Sequence, residues 1–267
     1  MIRRAAVIGS PIAHSLSPAL HSAAYEALKL DWTYERHEVA AAELPAFVDG
    51  LDKSWVGLSL TMPLKEAVLQ LAQEISWTAE VTNSANTLLL AQRQAFNTDV
   101  DGVVTALRRA GFAHREGFPA TVVGAGATAR SAVAAVQQLG AARVDVLARR
   151  PERAVDVSRA AESIGIELHV HRWDDLRYLR APLVVSTVPA GAADTLVPSV
   201  ASEPGWLLDV VYSPWPTALA GAWQASGGRI VSGLEMLLAQ AERQVELMTG
   251  LPAPTAAMRA ALPTTHV

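Results

Sequence analysis

Two rhythms of apolar and polar positions take turns along this chain. Arg4 to Ile8 is a short run that predicts a strand, and Pro18 to Leu28 carries its apolar residues at helical spacing. Trp32 to His37 alternates as a half-buried strand does. Glu43 to Gly50 reads as a short helix, Trp55 to Leu60 as a strand and Lys65 to Gln73 as a helix. Ser84 to Leu90 and Arg93 to Phe96 are spaced to pair as a hairpin, and Val100 to Ala110 is helical up to Gly111. The order resumes with a β-branched run ending at Val123, an alanine-rich amphipathic helix from Ala129 to Leu139 and a strand from Ala142 to Ala148. Leu168 to His171 predicts a further strand, and the stretch around Asp174 to Leu179 a helix. Leu183 to Thr187 and Trp206 to Val211 are largely apolar, as strands buried on both faces of a parallel sheet are, and Gly233 to Thr249 is a long amphipathic helix. Repeated strand-then-helix order predicts an α/β protein with mostly parallel sheets.

One strand is joined to its helix by Gly124-Ala125-Gly126-Ala127-Thr128-Ala129. In such a G-x-G-x-x-A turn the first glycine permits a tight bend and the second lets a pyrophosphate approach the backbone. The small third residue lets helix and strand pack closely, and free N–H groups at the helix N-terminus hold the phosphates. About 20 residues further on, dinucleotide-binding units commonly set an acid against a ribose 2′-hydroxyl. Here the strand ends in Ala148 and is followed by Arg149, Arg150 and Arg153. A carboxylate repels a 2′-phosphate, whereas a guanidinium pairs with it, so the pattern predicts NADP in preference to NAD.

Ahead of this turn lies about a hundred residues of α/β sequence, enough for a second domain. We expect residues 1–102 and 236–267 to form a substrate-binding catalytic domain, to which the C-terminal helices return, and residues 103–235 a Rossmann-type NADP domain. The chain has 267 residues, 51% of them hydrophobic and 18% charged, so there is core for both. A net charge of −4 gives no basic field for nucleic acid or an anionic membrane, and the absence of cysteine excludes disulfides, thiolate nucleophiles and cysteine metal sites. No stretch reaches the roughly 18 apolar residues of a membrane span, and the apolar run before Gly9 is too short for a signal peptide. A cytoplasmic protein acting on a small molecule, as monomer or homodimer, is the expectation. Its seven histidines (His14, His21, His37, His114, His169, His171 and His266) lack metal-ligand spacing, and no metal is expected.

Nicotinamide chemistry needs a proton-transfer group and polar anchors for the substrate. Three polar segments fall where strands of the first domain should end. In Gly9 to Pro18, Ser17 before Pro18 suits an N-cap, leaving Ser15 for a ligand. In Ser59 to Lys65, Lys65 stands at a helix start, where the dipole disfavours a structural ammonium and suits a proton donor. In Asn97-Thr98-Asp99, Asp99 either caps the next helix or pairs with a lysine; Asp101 competes with it, and spacing does not choose.

Taken in order, these segments resemble the shikimate dehydrogenase family. The matching motifs are Ser15-Leu16-Ser17-Pro18, Thr61-Met62-Pro63-Leu64-Lys65, Asn86-Thr87, Asn97-Thr98-Asp99, Gly124 to Arg130, Arg149 to Ala154, Ser186-Thr187-Val188-Pro189, Asp209 to Thr217 and Gly233 to Gln240. They cover nearly the whole chain. The resemblance implies an NADP-dependent, reversible reduction of 3-dehydroshikimate to shikimate, in aromatic amino-acid biosynthesis. It implies that Ser15 and Ser17 bind the substrate carboxylate with Tyr212 nearby, that Thr61, Asn86 and Gln240 bind ring hydroxyls, and that Lys65 and Asp99 (rather than Asp101) form the acid–base pair. Cofactor contacts are implied for Gly124, Ala125, Gly126, Ala127, Thr128, Ala129, Arg149, Arg150, Arg153, Thr187, Val188, Val210 and Gly233.

The chain departs from the family pattern at four places. Ala127-Thr128 replaces Gly-Ala, Ala148 and Arg150 replace Asn and Thr, Phe96 stands where Asp is frequent, and Ser59 where Asn is. The alternatives are a quinate or aminoshikimate-type dehydrogenase on the same scaffold and a non-catalytic NADP and metabolite sensor. An NAD-preferring quinate enzyme should keep an acid near position 148, and a sensor need not keep Lys65 and Asp99.

Overall fold

The computed structural model describes residues 2–263. The chain forms two compact units, Met1–Thr98 with Leu237–Val267, and Asp99–Met236. In chain order the first unit contains β1 (Arg3–Gly9), α1 (Ser17–Ala27), β2 (Trp32–Glu38), α2 (Leu44–Asp49), β3 (Trp55–Leu60), α3 (Leu64–Ala67), β4 (Glu74–Ile75), α4 (Trp77–Val81), β5 (Thr87–Leu89) and β6 (Gln94–Phe96). The second contains α5 (Asp99–Ala110), β7 (Phe118–Val123), α6 (Ala127–Gln138), β8 (Ala141–Ala148), α7 (Val155–Ile164), β9 (Glu167–Arg172), β10 (Leu183–Ser186), β11 (Trp206–Asp209), α8 (Ala218–Ala225) and β12 (Arg229–Ser232). The long helix α9 (Gly233–Thr249) carries the chain back to the first unit, where α10 (Thr255–Ala260) follows.

The first sheet has the order β2-β1-β3-β5-β6-β4. β1 pairs in parallel with β2 and β3, β5 runs antiparallel to both β3 and β6, and β4 is parallel to β6. β1 is apolar at successive positions because both of its faces are covered. Ala6 and Ile8 pack with Val48, Leu58 and Leu64, while Ala5 and Val7 pack with Leu20, Tyr25, Leu238 and Val245. β2, at the sheet edge, buries only Tyr34 and alternates accordingly. The second sheet is parallel throughout, in the order β12-β11-β10-β7-β8-β9. Its central strands are buried on both faces, and Ala129, Ala132, Val133, Ala135 and Val136 of α6 are wholly buried among them.

Each sheet reverses its winding beside its first strand, so the carboxyl ends of β1 and β3 flank one crevice and those of β7 and β10 another. Ligands of open α/β sheets bind at such switch points. At both, a glycine lies at the carboxyl end of the first strand, Gly9 as its last residue and Gly124 directly after it. A Cβ on Gly9 would collide with Thr61 Cγ2, and one on Gly124 would lie 2.5 Å from Thr187 Oγ1. The threonine backbones close the gap, with Thr61 N donating to Ile8 O (3.0 Å) and Thr187 N to Val123 O (2.9 Å).

Two expected helices differ. The one expected over Lys65 to Gln73 is the four-residue α3 continued as a 3-10 turn, Val68–Leu71. Ala85 N takes the Lys65 carbonyl at 2.7 Å, the acceptor an α-helix would have reserved for residue 69, and the next turn tightens. Around Asp174 to Leu179 there is only a 3-10 turn, Leu176–Arg180.

A buried histidine joins α1 to α9. His21 stacks on Tyr34 with ring centroids 4.0 Å apart, and its Nε2 lies 3.3 Å from Gln244 Oε1, while Nδ1 has no partner. Burial lowers its pKa from 6.5 to about 3, against the opposing pull of the Gln244 bond. The ring is therefore neutral when folded but protonates below pH 6.5 when unfolded. Its contribution to stability is complete above pH 6.5 and is lost as pH falls toward 3, at about 1.4 kcal/mol per pH unit. Between pH 7.5 and 5.0, chemical denaturation should show wild type losing about 2 kcal/mol more than His21→Phe. Equal losses would remove His21 from the acid response.

Candidate active site

The loop after β1 is tied at several points. Ser10 N donates to Met62 O (2.9 Å), Ser10 Oγ to Glu38 (2.8 Å), and the Arg36 guanidinium to Ala13 O. Helix α1 begins at Ser17 itself, with Leu16 at the cap position and no capping side chain there. The capping bond comes instead from Ser15, whose Oγ accepts from Ser17 N at 3.3 Å. This reverses the expectation that Ser17 caps and Ser15 is free, because Ser17 already has helical backbone. Ser17 is only 5% exposed, and its hydroxyl has no hydrogen-bond partner among the described residues. Thr61 and Lys65 follow β3 and are half-buried, beside the exposed Met62.

Two amides lie on the same edge. Asn86 precedes β5, and its Oδ1 accepts from Thr98 N (2.9 Å), Thr98 Oγ1 (3.0 Å) and Thr87 Oγ1 (2.9 Å). Because a backbone N–H can only donate, Oδ1 is identified, and Nδ2 must be the atom facing Gln240 Oε1 at 3.2 Å. Gln240 Nε2 then donates to Leu237 O at 3.1 Å. The first unit thus gathers Ser15, Ser17, Thr61, Lys65, Asn86 and Gln240 along the carboxyl edge of β1 and β3.

Asp99 and Tyr212 belong to the second unit. Asp99 is buried and opens α5. Tyr212 is half-buried in the loop after β11, and burial raises its pKa. That loop is clamped at its ends: Thr217 Oγ1 donates to Asp209 Oδ2 (2.8 Å) and accepts from Ala220 N (3.1 Å), capping α8, while Val211 N donates to Asp209 Oδ1 (3.2 Å). Burial raises the Asp209 pKa, and these hydrogen bonds oppose the rise.

At the second switch point, helix α6 starts at Ala127 with Gly126 as its N-cap and no capping side chain. Gly124 is needed by the protein itself, since its φ is +112° and Thr187 and Val188 lie against it. Gly126 is not. Its φ of −91° suits any residue, and a Cβ there would meet nothing within 4 Å. The open space over Gly126, facing uncapped N–H groups, fits a pyrophosphate. Thr187 Oγ1 donates to Val123 O (2.9 Å), and a Cβ on Gly233 would collide with Val210 O, so both residues also serve packing. Beyond β8, Arg149, Arg150 and Arg153 are exposed with Glu152 beside them, and the Arg149 guanidinium lies 6.0 Å from the centre of the Trp173 ring. Trp173, held through its Nε1 by Thr195 Oγ1 at 3.0 Å, went unnoticed in the sequence, as did Gln244 one turn beyond Gln240. Trp206 and Trp215 pack against the core of the second unit. Among the described residues no group of three or more histidine or acidic side chains is placed to hold a metal; His266 lies outside them.

Strand order, glycine turn and the arginines beyond β8 are those of a dinucleotide-binding unit, and the relatives of this chain are nicotinamide-dependent oxidoreductases. Residues 7–88 match the family model for the shikimate dehydrogenase substrate binding domain, and residues 233–262 that for the shikimate 5′-dehydrogenase C-terminal domain. The shikimate dehydrogenase (NADP(+)) of Citrifermentans bemidjiense is 37% identical over 97% of this chain and 93% of its own. The crystal structure of Mycobacterium tuberculosis shikimate dehydrogenase has a TM-score of 0.90 and 44% identity, covering 97% of this chain and 100% of that one. That of shikimate 5-dehydrogenase from Thermus thermophilus in complex with NADP(H) and shikimate has a TM-score of 0.85 and 33% identity, with 97% and 100% covered. The chain belongs to the shikimate dehydrogenase family.

The two glycines of the turn should respond oppositely to alanine. Gly124→Ala should cost about 2–3 kcal/mol in chemical denaturation, from strain and the clash with Thr187. Gly126→Ala should cost less than about 1 kcal/mol yet raise the KM for NADP at least about tenfold. An unchanged KM in Gly126→Ala would detach that glycine from the cofactor.

Proposed function

We infer that this chain catalyses the NADP-dependent, reversible reduction of 3-dehydroshikimate to shikimate. What supports the inference is the convergence along one sheet edge of hydroxyl donors, a lysine and two orientation-fixed amides, in a chain 37% identical to an NADP-dependent shikimate dehydrogenase. A polyhydroxylated carboxylic acid needs such a set. Hydroxyls donate to a carboxylate, and amides read ring hydroxyls by donating and accepting.

NADP, when bound, supplies the hydride. Gly124 to Ala129, Thr187, Val188, Val210 and Gly233 would hold its pyrophosphate and nicotinamide portions, and Arg149, Arg150 and Arg153 its 2′-phosphate. Ser15 and Ser17 bind the substrate carboxylate, with Tyr212 alongside, and Thr61, Asn86 and Gln240 bind the ring hydroxyls. As the ketone is reduced, Lys65 Nζ gives a proton to the carbonyl oxygen; in the oxidation it takes that proton back. Asp99 orients Lys65 or shares its proton. The enzyme is cytoplasmic on this reading, a monomer or homodimer. No helix of the described residues is long and apolar enough to cross a membrane.

Initial rates of cofactor reduction should be measured with NADP and NAD crossed with shikimate and quinate. Turnover should be strong only for shikimate with NADP; a preference for quinate or NAD would overturn the specificity while keeping the scaffold. Lys65→Ala should lower kcat by about 10²–10⁴ and leave the NADP dissociation constant within about twofold. Turnover surviving within a few-fold would release Lys65 from its role.

A further inference from the structure

Gln244 has no part in the reaction as described, yet its amide reaches three elements. Nε2 donates to Asn86 O (3.1 Å) and to Thr87 Oγ1 (3.0 Å), while Oε1 accepts from Ser59 Oγ (2.9 Å) and lies 3.3 Å from His21 Nε2. Ser59 Oγ in turn accepts from Tyr34 OH at 2.6 Å. Gln244, Ser59, Thr87, Asn86 and His21 are each at most 3% exposed, so water does not stand in for a missing partner.

The direction of every bond follows. The Asn86 carbonyl can only accept, which identifies Nε2 of Gln244 and commits both of its hydrogens. Thr87 Oγ1, having received one of them, turns its only proton to Asn86 Oδ1 at 2.9 Å. With the Thr98 donors this fills Asn86 Oδ1, so Nδ2 is directed to Gln240 Oε1, and Gln240 Nε2 to Leu237 O. On the other side Oε1 of Gln244 must accept, so His21 carries its proton on Nε2, which leaves the bare Nδ1 without a partner. We propose that Gln244 is a positioning residue: by holding the Asn86 backbone and turning the Thr87 hydroxyl toward Asn86 Oδ1, it steadies the hydrogen-bond chain, oriented by Thr98 N and Leu237 O, that presents Asn86 and Gln240 to the ring hydroxyls of the substrate. The ligand's identity rests on the shikimate reading; the polarity of the chain does not.

Two variants of nearly equal size separate polarity from packing. In Gln244→Glu an ionised carboxylate opposes the Asn86 carbonyl and draws the Thr87 proton away from Asn86 Oδ1; a protonated carboxyl restores a donor toward Asn86 O. Steady-state kinetics across pH 6–9 should show the shikimate KM of Gln244→Glu raised at least about tenfold at high pH, one misdirected hydrogen bond or more. Relative to wild type at each pH, that KM should fall as the pH is lowered, with the KM for NADP unchanged throughout. Gln244→Met should raise the shikimate KM about three- to tenfold, with no pH dependence beyond that of wild type.

A shikimate KM within twofold of wild type in either folded variant would overturn the proposal. So would a pH-independent defect in Gln244→Glu, or loss of folded protein in both, which would make Gln244 a structural residue. Wild-type protein assayed in parallel keeps the questions apart: if it does not turn over shikimate, the functional reading fails first and the proposal falls with it.

Discussion

Both halves of this molecule depend on one steric constraint, the close approach of two strand ends at the point where a sheet reverses its winding. In one sheet the approach brings Gly9 against Thr61, in the other Gly124 against Thr187. No side chain fits on the first member of either pair, and a threonine N–H reaches back to the last strand residue but one in the first sheet and to the last in the second. The approach draws two loops over one crevice, and the loops bring the polar groups. Thr61 and Lys65 follow from β3 closing on β1; the open turn at Gly126 follows from β10 closing on β7. The chemistry is thus attached to two copies of the same backbone solution, one filled out with hydroxyls and amides, the other with uncapped peptide N–H groups and arginines.

On the proposed reading, specificity around the first crevice rests on hydrogen-bond direction more than on charge. Buried amides and hydroxyls are costly unless each is paired, and pairing them all leaves few arrangements. Here backbone groups that can act in one sense only, Thr98 N, Asn86 O and Leu237 O, fix the sense of the Asn86, Gln244 and Gln240 amides. A network anchored in this way presents the same pattern of donors and acceptors whether or not a ligand is present. Binding then need not include the entropy of choosing it.

Much of this was legible in the sequence where the signal is local. The parallel sheet announced itself through apolar runs such as Leu183 to Val185, buried on both sides. The glycine turn and the arginines after Ala148 lie within one strand–helix–strand unit. Elements whose definition comes from distant neighbours were not legible. β12 buries only Val231 and carries no strong periodic signature; α7 was legible but passed over, since Val157, Ala160, Ala161 and Ile164 stand at helical spacing on its core face. The early end of α3 is decided by Ala85, twenty residues away in the chain. Ser15 and Ser17 exchanged capping duties because Ser-Pro suits either of two registers, and only the backbone chooses. Gln244 sits at the spacing that should have drawn attention, one turn after Gln240. Its partners, though, come from β3, β5 and α1, and no pattern along α9 reveals them.

The return of α9 to the first unit bears on how the molecule is made. β1 and β2 leave the ribosome early, but the face formed by Ala5, Val7, Leu20 and Tyr25 is covered by Leu238, Ala241, Val245 and Met258, which are synthesised only after the whole second unit. During that interval the nascent chain carries an uncovered apolar surface on a sheet already able to pair, the circumstance in which chains associate wrongly or recruit chaperones. The second unit suffers no such delay, since it is one contiguous stretch, Asp99–Met236. The second unit can therefore be complete while the first still waits for its last wall.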